Sequence, residues 1–137
     1  MRTYVTYLFF LLLFSCHSGS QGEEGVFTAD ADYIQIVLFH MEQRCESCDA
    51  VERETENLLN EEYAEERNAG KLKFISLNYQ SDNGKHTAEL LQAAGQTLYV
   101  IKGDSISNLT SPAFMYAHTH PAYYRDALRK ELDKFLE

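Results

Sequence analysis

Cys45 and Cys48, in the run Phe39-His40-Met41-Glu42-Gln43-Arg44-Cys45-Glu46-Ser47-Cys48, are the residues of this chain best suited to chemistry. Two thiols at this spacing in the first turn of a helix lie close enough to close a small disulfide ring. The unpaired amides at such a helix start also favour a thiolate. Redox exchange is therefore the first chemistry to consider, with Cys45 attacking and Cys48 resolving. Arg44 and the helix dipole should lower the Cys45 pKa, whereas Glu42, Glu46 and Asp49 should raise it. An acidic residue between the cysteines disfavours the thiolate form, which predicts a reducing couple rather than a strongly oxidising one.

Soft-metal or metalloid capture is the competing chemistry, because thiolates prefer ions such as Cu(I) and Zn(II). A tetrahedral structural site needs two further ligands, and no second cysteine pair supplies them. His40 at the end of an apolar run reads as a rim histidine able to tune the pair. His118 and His120 read as a solvated loop. No metal site is assigned, and no cofactor is expected. A third possibility is a non-catalytic accessory subunit in which the pair is a passive structural disulfide.

The elements that must position the pair follow from hydrophobic spacing. Tyr33 to Phe39 is a nearly continuous apolar run, the mark of a central strand covered on both faces. From Cys45 to about Asn68 the pattern turns helical, with Cys48, Val51, Thr55, Leu58, Leu59 and Tyr63 along one side and Gly70 beyond its end. Lys71 to Tyr79 alternates as a strand. Ser81-Asp82-Asn83-Gly84 then reads as a polar turn before a short helix through Ala88, Leu91 and Ala94 that stops at Gly95. This β-α-β-α order calls for parallel pairing with a right-handed crossover. Thr97 to Ile101 and Ile106 to Leu109 flank a tight turn at Lys102-Gly103-Asp104-Ser105 and form a hairpin. Ser111-Pro112 opens a brief helix, and Pro121 starts the last one, in which Tyr124, Leu128, Leu132 and Phe135 recur at helical spacing. The expected class is α/β, a central mixed sheet of about four strands flanked by helices.

The chain has 137 residues, enough for one ordinary domain once its first stretch is set aside. Arg2 is followed by an apolar run from Tyr4 to Phe14, short for a membrane span and suited to a secretory signal. Leu13-Phe14-Ser15-Cys16 resembles a bacterial lipobox cleaved ahead of Cys16, which would then carry lipid. A plain secretory signal with Cys16 free is the alternative. The expected division is a lipoprotein-type signal over 1–15, a small polar tether over 16–30 and a folded domain over 31–137. The three cysteines then resolve into one anchor and one pair. The net charge of −9 becomes one unit more negative when Arg2 leaves, which argues against nucleic acid as a partner. Membrane attachment would rest on the acyl chains of Cys16 in the lipid bilayer. An exported domain reaches an oxidising compartment, where a disulfide-forming pair persists.

The order strand, C-x-x-C helix, strand, helix, hairpin and closing helix resembles the thioredoxin fold. The chain is also similar to the ArsF-like family of thioredoxin-like proteins, described as nitrophenyl compound nitroreductase subunits. Phe39-His40, Arg44-Cys45, Cys48, Val51-Glu52, Thr55, Gly70, Asn78 and His86 carry that likeness, which covers roughly Tyr33 to Leu109. With the anchor expected at Cys16, the chain reads as an envelope-anchored protein facing the periplasm, and the likeness implies that it exchanges thiols and disulfides with, or passes electrons to, a partner protein of the cell envelope. Cys45 and Cys48 would be the catalytic residues of a thiol–disulfide oxidoreductase, with Arg44, Gln96 and Thr97 lining the approach. No flavin-binding pattern appears, so the chain alone is not expected to reduce nitro compounds. The departures from ordinary thioredoxins are Arg44 in place of Trp, Glu46-Ser47 in place of Gly-Pro, Phe39 in place of the buried strand acid, and Gln96 in place of cis-proline.

Overall fold

A computed structural model describes Phe27, Thr28 and residues 30–137. The expected signal, the lipidation site Cys16 and nearly all of the tether lie outside the described residues. Four strands form one sheet in the order β2-β1-β3-β4, comprising β1 (Ile34–His40), β2 (Leu72–Asn78), β3 (Thr97–Lys102) and β4 (Ser105–Asn108). β1 runs parallel to β2, with Ile34 opposite Leu72 and His40 opposite Asn78. It runs antiparallel to β3, and β3 runs antiparallel to β4. The sheet is therefore mixed, with β1 in the interior. The architecture is α/β, a four-stranded mixed sheet with helices on its faces.

β1 is buried from Ile34 to Phe39 because both of its faces are covered. On one face Ile34, Ile36, Leu38, Leu98 and Val100 share a core with α1 (Glu46–Glu62), α4 (Thr110–Tyr116) and α5 (Pro121–Leu136). On the other, Val37, Phe39, Ile75, Leu77, Tyr99 and Ile101 pack with Ala88 of α3 (Asp82–Leu91) and with Ala93. The alternation of strand side chains thus feeds two cores from one sheet. Gln35 is a polar residue within β1 and fully buried. Its amide donates to the carbonyl of Thr28 and its oxygen accepts the Thr28 N–H, which offsets the burial.

The helical pattern expected from Cys45 to Asn68 is divided. α1 ends at Glu62, Tyr63 leaves helical geometry, and α2 (Ala64–Asn68) follows. Tyr63 turns inward there and donates its hydroxyl to Asp133 of α5 at 2.7 Å. Gly70, at φ +72°, supplies the left-handed step that returns the chain to β2. The polar stretch expected as a turn at 81–84 is instead the start of α3. Ser81 is its cap, its Oγ accepting the Gly84 N–H at 3.0 Å. α3 also stops earlier than Gly95, at Gln92 in left-handed geometry. Gly84 is required by contact, since a Cβ there would lie 1.8 Å from the carbonyl oxygen of Asn78.

Candidate functional site

Parallel pairing of β1 with β2 requires the chain to leave the end of β1 and cross over, and α1 is the first element of that crossover. Met41 to Arg44 make the bend, and Cys45, extended at ψ 163°, is the cap residue of α1. Cys45 is exposed to solvent, whereas Cys48, in the first turn of α1, is fully buried. Their sulfurs lie 3.3 Å apart and both cysteines are free. The arrangement places one thiol at the surface with a second in contact beneath it.

The two thiols are driven in opposite directions. Cys45 Sγ makes no capping hydrogen bond, yet the N–H of Cys48 acts on it electrostatically and is the largest influence drawing its pKa below the usual thiol value. The Cys48 thiol, the Ser47 N–H and the Gln96 side chain act in the same direction. Burial pushes the Cys48 thiol up, and a charge on Cys45 would push it further. Arg44 favours a charge on Cys48. The expectation that Arg44 tunes Cys45 is thus redirected to the neighbouring sulfur. The physical reason is competition, because the Arg44 guanidinium lies against α1, with Nε 2.9 Å from Asp49 Oδ1 and Nη2 on Glu52. Glu52 also accepts from Ser76 Oγ at 3.2 Å, which ties this network to β2.

Gln96 precedes β3, whose register sets Thr97 opposite Phe39 and so brings Gln96 level with the end of β1. From there its Nε2 donates to Cys48 Sγ at 3.0 Å. Thr97 itself is buried, and its hydroxyl has no hydrogen-bond partner among the described residues. His40 is half-buried, with Nδ1 2.9 Å from the carbonyl oxygen of Met41, so that nitrogen carries the proton. His118 lies 3.8 Å from Glu46, which connects the loop between α4 and α5 to the start of α1. Of the residues expected at the site, Gln96 joins the pair directly and Arg44 flanks it, while His40 bonds the backbone. Among the described residues, no cluster of three His, Cys, Asp or Glu side chains could hold a metal ion. The Arg44–Asp49–Glu52 network is the part that sequence reasoning missed. Acidic residues at helical spacing after Arg44 were its available signal.

No protein-family model matches the chain, and no curated protein matches it. Among solved structures, one titled "Structure of a malarial protein" is similar at 12% identity and a TM-score of 0.41, the match covering 64% of this chain and 98% of that one.

Proposed function

We propose that this chain is a thioredoxin-like protein that performs thiol–disulfide exchange, with Cys45 as nucleophile and Cys48 as resolver. One observation carries the reading: a solvent-exposed thiol with a depressed pKa sits 3.3 Å from a buried second sulfur. The Cys45 thiolate attacks one sulfur of a partner disulfide, forming a Cys45–partner bond and breaking the partner's S–S bond. The departing thiolate takes a proton from water. Cys48 then gives its proton to solvent and attacks Cys45 Sγ, forming the Cys45–Cys48 disulfide and releasing the second partner sulfur as a thiol. The partner gains two electrons and the domain loses two. The raised pKa of Cys48 suits this order, because it keeps the resolving thiol protonated while Cys45 acts first.

Membership of the ArsF-like family, a lipid anchor at Cys16 and a position in the cell envelope facing the periplasm belong to the same proposal, and rest on the residues set out above. Incorporation of a tagged fatty acid that disappears in Cys16→Ser tests the anchor. Insulin reduction in dithiothreitol tests the exchange. The wild-type chain should accelerate precipitation of the insulin B chain and Cys45→Ser should not. A wild-type rate equal to that of dithiothreitol alone sinks the reading.

A further inference from the structure

We infer that Gln96 is a positioning residue that sets the reduction potential of the cysteine pair, by donating its side-chain N–H to Cys48 Sγ and so stabilising the reduced form. This rests on the exchange chemistry proposed above and adds its control element. The contact is 3.0 Å long and joins the residue before β3 to the first turn of α1. Cys48 is fully buried, so water does not replace a donor lost there.

The effect has a definite sign. A sulfur carrying negative charge is a strong acceptor, and a sulfur bonded to another sulfur is a weak one. The reduced pair carries its charge on Cys45, 3.3 Å from the Cys48 sulfur that holds the amide, so the Gln96 donor favours the thiolate state over the disulfide. Stabilising the reduced form makes a couple more oxidising, so loss of the bond makes it more reducing. Gln96 also acts on Cys45, whose thiol it helps to draw down, so one amide serves both sulfurs. A side chain in this place can adjust the potential without altering the residues between the cysteines.

The test equilibrates the whole chain in glutathione redox buffers and reads the thiol–disulfide equilibrium constant. Gln96→Leu keeps the bulk and removes the donor. Gln96→Glu keeps the shape and sets a carboxylate against the sulfur. The constant should move toward the disulfide about tenfold in Gln96→Leu, equivalent to about 30 mV, and further in Gln96→Glu. Constants within twofold of wild type in both variants overturn the assignment, even if their thermal stabilities change. The exchange reading fails separately if the wild-type pair never oxidises in these buffers. In that event the Cys45→Ser background decides, with the ultraviolet absorbance of the Cys48 thiolate followed against pH. Adding Gln96→Leu should shift its appearance to higher pH, and an unshifted curve overturns the role of Gln96.

Discussion

A chain of two hydrogen bonds beneath the cysteine helix leads to an asymmetric prediction. Thr55 Oγ1 donates to the carbonyl of Val51 at 2.6 Å and lies 2.6 Å from the hydroxyl of Tyr124. Thr55 has one proton, and it is committed to Val51, so Tyr124 must be the donor to Thr55. Tyr124 is 0% exposed, and burial holds its hydroxyl pKa well above the usual tyrosine value, so the proton stays in place. Tyr124→Phe removes one donor and leaves Thr55 bonded to Val51, which should cost about 1 kcal/mol. Thr55→Val strands the tyrosine hydroxyl in a dry site and should cost more, about 2 kcal/mol, since an unsatisfied buried group bears its whole desolvation penalty. The double variant removes both polar ends, so it should lose only about 1 kcal/mol and be more stable than Thr55→Val alone, with a coupling of about 2 kcal/mol. Urea unfolding under reducing conditions reads these values as midpoint shifts at constant slope. Additive losses, or a Tyr124→Phe loss larger than that of Thr55→Val, would refute the directional chain.

The pair should titrate in two directions. Alkylation of Cys45 should reach half its maximal rate at a pH below that of a free cysteine side chain, and Cys48 in a Cys45→Ser background above it; equal midpoints would contradict the electrostatics of the helix start. At Gly84, an added methyl meets the Asn78 carbonyl oxygen at 1.8 Å, so Gly84→Ala should destabilise by about 2 kcal/mol through overpacking despite the better helix propensity of alanine. A neutral or stabilising result in thermal unfolding would show that α3 shifts away without cost.

Legibility in the sequence tracked how local the deciding force was. β1 could be read from its own residues, because a strand covered on both faces needs a continuous apolar run and Ile34 to Phe39 provide one. The helix after Cys45, the hairpin at Gly103-Asp104 and the buried stripe Tyr124, Leu128 and Leu132 were likewise local. The start of α3 was misread because Ser81-Asp82-Asn83-Gly84 satisfies two grammars, a turn and a serine-capped helix. Packing of Gly84 on Asn78 settles it, and only tertiary structure contains that contact. The break at Tyr63 similarly answers to Asp133, far along the chain. At the site, both cysteines were evident from spacing, and the pairing of β1 with β3 was needed to bring Gln96 to Cys48. Arg44 was legible as a charge beside Cys45, but its direction was not, because two carboxylates along α1 capture it.

Cys45 also occupies a place where helices ordinarily set an oxygen. A serine, threonine or aspartate there would close onto the free amides, and its absence forgoes about 0.5–2 kcal/mol, whereas Cys45 makes no such bond. The helix start is thus left weaker than it could be, and its idle amides remain available to a charged sulfur. Robustness and reactivity compete for a single position, and selection for thermal endurance alone would exchange sulfur for oxygen and remove the thiol on which the proposed exchange depends. A Cys45→Ser chain that loses its chemistry while matching or exceeding the parent's resistance to heat is the signature of that compromise.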